Sequence, residues 1–307
     1  MAKAVKVQEP KLNKNRSLAG VVARNLSGWL LILPSLFLFV MIVWRPIVIG
    51  ISYSFFDLHQ YKPVEFIGLK NFKDVLSDTN LIQTFKNTLG YVGWSLLIGL
   101  PLPFICAVLM NEMVHAQGYF KVSTYLPVII PSVAVCMIWS IVYKNGTGGL
   151  LNMILYYFGL KPVSWLDNKD LVIPLIVITM SWSGFGSTLI MYLATLQGIN
   201  QELYEAARLD GAGFFGRIIH VLFPHMRGLL LLMVVRQIIG VFNVTEQPLV
   251  MTGGGPNGAS LSIGLTNWRY AFQYDLPEKS MALGVCTFCI LLCLTFVYFG
   301  LDKRVDD

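Results

Sequence analysis

An all-α, polytopic membrane protein with six transmembrane helices is the fold class this sequence predicts. Three observations carry that expectation: apolar residues make up 55% of the chain, charged residues only 13%, and the mean hydropathy is +0.63. A soluble domain carries charge on about a quarter of its residues, so lipid rather than water is the expected solvent. A chain of 307 residues has room for about six spans of roughly 20 residues each with their connections. One membrane domain, residues 28–300, is expected between a basic tail (1–27) and a short second tail (301–307).

The formal net charge of +6 gathers at the amino end, where Lys3, Lys6, Lys11, Lys14, Arg16 and Arg24 precede the first apolar run. A basic segment leading into a span is an orientation signal of the positive-inside kind. It places the tail in the cytoplasm and makes nucleic acid an unexpected partner. The first span is Gly28–Gly50; the run on to Phe56 is longer than a signal-peptide core, and no clear A-x-A site follows it. Apolar run length then sets spans at Asn87–Met110, Val122–Tyr143, Leu171–Leu196, Gly228–Thr245 and Ser280–Phe299. Six spans return both termini to one side, and Lys303 and Arg304 agree with a cytoplasmic end.

With that orientation the long connections 57–86, 144–170 and 250–279 are external, and 111–121 and 197–227 internal. Within the second external connection, Leu150 to Leu160 is apolar enough for a short helix on the membrane or on a partner, bounded by Gly148, Gly149 and Pro162. The spans hold Pro34, Pro46, Pro101, Pro103, Pro127, Pro131 and Pro174, with Gly184 and Gly186. Such residues suit helices that bend in a transporter, and ordinary membrane packing accommodates them too.

The internal segment 197–227 is the most informative. Over Gln201 to Asp210 a helix places Leu203, Ala206, Ala207 and Asp210 on or near one face, flanked by Glu202, Glu205 and Arg208. The alanines allow close approach. Gly211 and Gly213 end this helix and start a second, Phe214 to Val221, which Pro224 closes. The alternative is an interfacial helix pair of the kind many membrane proteins carry.

Glu205, Ala206, Ala207, Gly211 and Pro224 meet an E-A-A, three residues, G, nine residues, I-x-L-P pattern, with Val221 for isoleucine and Phe223 for leucine. Here the chain resembles the permease subunit of binding-protein-dependent ABC importers, type I, and more closely the carbohydrate permeases of the maltose type. The resemblance runs from Trp29 to Arg304 and includes 66–72, Tyr125-Leu126-Pro127, Trp139, 148–152, Trp165-Leu166 and Thr252-Gly253-Gly254-Gly255-Pro256 in matching order. It implies that Glu205, Ala206, Ala207 and Gly211, with Pro224 closing the element, couple the chain to an ATPase. It further implies a second homologous permease, two ATPase subunits that bind ATP and Mg, an extracytoplasmic solute-binding protein and a carbohydrate substrate. The implied location is a bacterial or archaeal cell membrane.

Other motifs are weaker. Gly253, Gly254 and Gly255 have no G-x-x-x-x-G-K-[ST] context, so ATP binding by this chain is not expected and the triplet reads as a flexible external loop. His59, His115, His220 and His225 lack metal-ligand spacing, and no catalytic constellation is present. Cys286, Cys289 and Cys293 share a helical face, as packing residues rather than a metal or redox cluster.

Polar residues inside spans are costly and face a partner or a water-filled cavity. Arg236, Asn243 and Gln247 form a stripe on a fifth-span helix with Glu246 beside it, a donor and acceptor array suited to a sugar. In the fourth span Trp182 and Phe185 could stack on a pyranose ring, with Ser183 beside them and Gly184 and Gly186 leaving room. The bland alternative for each is helix packing. A rival of another class, an ion-coupled secondary transporter, would need an intramembrane acid, for which Glu246 is the candidate.

Overall fold

The computed structural model describes residues 26–113 and 115–306, and the basic tail up to Arg24 lies outside them, as do the side chains of Arg208, Lys303 and Arg304. Two units form, Met1–Ser52 and Tyr53–Asp307. The described residues of the first form the helix α1, Gly28–Tyr53, whose exposed side chains are mostly apolar, as a lipid-facing span's should be.

The second unit begins with a two-stranded antiparallel hairpin, β1 (Phe56–His59) and β2 (Lys62–Phe66), which the sequence reading did not anticipate. Gln60 and Tyr61 turn it with φ of 50° and 62°, the twist a two-residue hairpin requires. Helix α2 (Lys70–Leu76) follows, and Asn71 pins it by donating to the carbonyls of Ser54 at 3.0 Å and Phe56 at 2.9 Å.

The spanning helices are α3 (Thr79–Asn111), the pair α4 (Gln117–Ile129) and α5 (Ser132–Val142), α7 (Val172–Gln197), α9 (Phe214–Phe242) and α12 (Pro277–Asp306). Between them stand α6 (Leu150–Tyr157), α8 (Gln201–Leu209), α10 (Glu246–Thr252) and α11 (Ile263–Trp268). Among the described residues five helices are long and apolar enough to cross a membrane, six if the bent pair is one span.

Three departures from the sequence expectation have identifiable causes. The span expected at Val122–Tyr143 is two helices bent by 95°. Pro131 drives its predecessor out of the helical region, and Ile130 has φ −72° and ψ 131°. The second span begins not at Asn87 but at Thr79, where the Asp78 side chain accepts the Asn80 N–H at 2.9 Å as N-cap. Its early turns are polar because Asn87, Thr88 and Tyr91 hold other backbone: Asn87 donates to the carbonyls of Gly258 and Leu261, Tyr91 to that of Ser260, and Thr88 accepts the Ile263 N–H. Third, the helix expected to stop at Pro224 does not stop; Phe214–Phe242 is continuous into the membrane.

A single device explains that continuity. In α1, α3 and α9 a π-turn (Val40–Trp44, Ser95–Gly99, Ile218–Leu222) is followed two residues later by Pro46, Pro101 or Pro224. Proline lacks the N–H for the i−4 carbonyl and its ring crowds that carbonyl. The wider π-turn shifts the ladder by one residue just upstream, so the helix carries on.

The core is three apolar clusters. Leu100, Leu189, Tyr192 and Met226 join α3, α7 and α9; Tyr91, Cys136, Ile176 and Val241 join α3, α5, α7 and α9; Val75, Phe242, Ile263 and Leu283 join α2, α9, α11 and α12. The tightest crossing is at Gly186 of α7, where a Cβ would stand 2.4 Å from the Thr124 carbonyl oxygen of α4. Gly186 therefore makes no room for a ligand, as the sequence reading supposed; the backbone of α4 fills it.

The Gly253–Gly255 segment is also not a flexible loop. Gly253 and Gly254 take φ of 55° and 83°, Arg269 Nη2 donates to the Gly253 carbonyl, and Ser260 bridges Thr252 and the Gly255 carbonyl. A Cβ on Gly254 would meet Leu261 at 2.7 Å, so glycine there answers both conformation and space. Nearby, Tyr270 donates to Asp78. Partial burial works to raise the Asp78 pKa, but the hydrogen bonds from Tyr270 and Asn80 outweigh it and hold the carboxyl below its ordinary value.

Candidate functional site

Two regions stand apart from ordinary packing. The first is α8 and the start of α9. Helix α8 ends in a Schellman turn: Ala212 N–H donates to the Ala207 carbonyl at 2.9 Å, with Gly211 at φ 80°. Glu205 and Ala206 are exposed, Ala207 half-buried and Pro224 exposed. Around them apolar side chains face outward: Leu209, at the end of the polar helix α8, is 89% accessible, and Phe215, in the first turn of α9, is 75% accessible. Isolated exposed leucines need no explanation; here Leu209 and Phe215 stand exposed beside the small residues and the acid of α8.

Beneath α8 the structure adds residues the sequence reading did not single out. Arg217 on α9 forms an ion pair at 3.5 Å with Glu112, just past the end of α3, and its guanidinium stands 5.6 Å from the ring centroid of Tyr204 on α8. Burial raises the Tyr204 pKa, the Glu112 charge raises it further, and Arg217 offsets part of this. Three elements thus meet at one cation. Of the histidines, His220 and His225 each place Nδ1 near a carbonyl one turn back, at 3.0 Å from Gly216 and 2.7 Å from Val221.

The second region is a cavity of about 460 Å³ bounded by α3, α7, the end of α9 and the link into α10. That volume suits a small ligand. Of the residues expected to face substrate, Ser183, Asn243, Glu246 and Gln247 line it. Trp182, Phe185 and Arg236 do not. Trp182 packs edge-on against Trp139 with ring centroids 5.8 Å apart, and Phe185 joins the α3–α7–α9 core cluster. Arg236 is exposed, its Nη1 3.0 Å from the Met191 sulfur.

The expected continuous stripe is broken because α9 ends at Phe242. At the break Ser262 donates to the Val244 carbonyl, and Gly264 lies so close that a Cβ would be 2.5 Å from that oxygen. With the carbonyl satisfied from α11, the chain leaves the helix after Asn243 and starts again at Glu246. Glu246 accepts a hydrogen bond from Ser132 Oγ at 2.8 Å, which ties α10 to α5. Gln237, Ser181, Thr188 and Thr245 complete the polar lining. Gln237 is a polar residue inside a span, beside the costlier Arg236, and its polarity is the signal that marks it in the sequence. A Cβ on Gly99 would stand 3.2 Å from both the Gln237 amide and the Ser181 hydroxyl, so that glycine keeps the polar wall close to α3.

Comparison with known proteins agrees with this architecture. Residues 99–307 match the family described as binding-protein-dependent transport system inner membrane component. The chain is 32% identical over 290 residues to the trehalose/maltose transport system permease protein MalF of Thermococcus litoralis, covering 91% of this chain and 95% of that protein. It is 30% identical over 285 residues to the probable ABC transporter permease protein YurN of Bacillus subtilis, covering 89% and 96%. Its fold superposes on a chain of a bacterial ABC transporter involved in the import of the acidic polysaccharide alginate, with a TM-score of 0.83 at 24% identity over 94% of this chain and 99% of that one. Multi-pass and helical, the chain belongs to the family of inner membrane components of binding-protein-dependent transport systems.

Proposed function

We propose that this chain is the permease half of a type I ABC importer for a carbohydrate. It pairs with a second permease, rests on two ATPase subunits that bind the ATP and Mg, and receives sugar from a solute-binding protein outside the cell. The carrying observation is the α8 surface: an exposed Glu205 and Ala206 beside outward-facing Leu209 and Phe215, at the end of a rigid Schellman-capped helix. Such a surface fits a protein cleft, with the alanines setting the distance and Glu205 meeting a basic residue of the ATPase. Family membership supports the binding-protein partner, and the sugar-named relatives support the substrate class.

In this mechanism, closure of the ATPases moves α8, and the Arg217 ion pair carries that movement to the spans. The cavity lined by Ser183, Asn243, Glu246 and Gln247 is this chain's share of the pathway. Both termini are cytoplasmic, in a bacterial or archaeal cell membrane. Family membership speaks against the ion-coupled alternative. The test is E205K combined with leucine at Ala206 and Ala207 in the reconstituted importer. ATP-driven uptake should fall at least tenfold and the ATPase should co-purify poorly; unchanged uptake and assembly would refute the reading.

A further inference from the structure

We propose that the cavity of this chain selects uncharged saccharides and that Glu246 is the specificity-determining residue that turns uronates and other anionic sugars away. The inference rests on the carbohydrate-permease reading above. The cavity offers amides from Gln237, Asn243 and Gln247 and hydroxyls from Ser181 and Ser183, the mixed donors and acceptors that match a polyol. Its single charge is the Glu246 carboxylate, and among the described residues no Lys, Arg or His lines it. A sugar carboxylate entering such a site would lose water without gaining a cation.

Two further observations give the selection a fixed geometry. Ser132, at the start of α5 just past the Pro131 bend, donates to Glu246 Oε1 at 2.8 Å and so holds the carboxylate in place, with its other oxygen available to accept from sugar hydroxyls. Arg236, the cation nearest in sequence, stands outside the lining and engages the Met191 sulfur. A carboxylate attracts vicinal hydroxyls as an acceptor and repels a second carboxylate, more strongly as water is displaced. The same residue thus favours one class and rejects the other.

Saturation-transfer NMR on the purified importer complex without its solute receptor reads the preference of the assembled pathway, and the Glu246 variants isolate this chain's share of it, with maltotriose and trigalacturonate as probes. Maltotriose should give at least fivefold more transfer than trigalacturonate. E246A should cut the maltotriose signal severalfold. E246Q keeps size and an acceptor oxygen and serves if alanine prevents assembly; it should bring the two probes within about threefold. S132A should weaken maltotriose binding less than E246A does. Equal or stronger transfer to trigalacturonate, no transfer to either sugar, or wild-type signals in the Glu246 variants overturns the proposal. Parallel uptake assays separate the layers: if ATP-driven saccharide uptake persists in the complete importer, only the selectivity has failed, whereas uptake independent of ATP removes the permease reading itself.

Discussion

At the scale of single residues, glycines distinguish packing from function more sharply than the polar residues do. Gly184 and Gly186 are two positions apart on α7 and looked interchangeable in the sequence. A Cβ on Gly184 meets nothing within 4 Å and the residue borders the cavity, whereas one on Gly186 would press the α4 backbone at 2.4 Å. Backbone cannot step aside as a flexible side chain can, so G186A should destabilise the purified protein by about 1–3 kcal/mol. G184A should be neutral or stabilising by up to about 1 kcal/mol, since alanine favours helix. Thermal unfolding in detergent checks both; equal effects would show that the α4–α7 crossing yields. The same lesson applies to Arg236. Its cost in a span was legible, but where it finds relief depends on Met191, 45 positions away.

At the scale of elements, π-turns and breaks decide what each polar residue can reach. In the sequence Pro131 lies inside an expected span and Pro224 at the expected end of a helix, yet Pro131 bends its span by 95° and Pro224 is carried through by a preceding π-turn. Choosing between them needs the neighbours, because a freed carbonyl is tolerated only where something else satisfies it. The continuous α9 gives Arg217 its role, as the first turn of a spanning helix tied to Glu112 and lying over Tyr204 on α8. E112Q, R217M and the double variant form a thermodynamic cycle, and the pair should show a coupling energy of about 0.5–3 kcal/mol in thermal unfolding. Strict additivity would mean that the two side chains act separately and that α8 is not linked to the end of α3 through this cation.

For the whole molecule, composition alone made a helical membrane protein unavoidable, and the basic tail supplied an orientation. That orientation places Lys169 and Asn257 outside and Leu209 inside. In a background with Cys106, Cys136, Cys286, Cys289 and Cys293 replaced, K169C and N257C should react with an impermeant maleimide in intact cells, and L209C only after permeabilisation. The opposite pattern would invert the membrane topology and with it the proposed docking side. The helix α8, its glycine end and the order of the apolar segments were legible because they rest on local rules: run length, small-residue faces and a left-handed glycine at a helix end. The cavity was only half legible. Ser183, Asn243, Glu246 and Gln247 were named from their polarity, but their assembly into one wall depends on α9 stopping at Phe242.

What the amino-acid sequence determined by itself was therefore the solvent, the order of the apolar segments and the short helix α8 with its glycine end. Each follows from hydrophobicity or backbone preference acting over a few neighbouring residues. The tertiary structure alone decided where α9 ends, which prolines bend a span and which polar side chains share a cavity. Those outcomes turn on backbone groups being satisfied by residues far away in the chain, as Ser262 does for Val244 and Asn87 for Gly258.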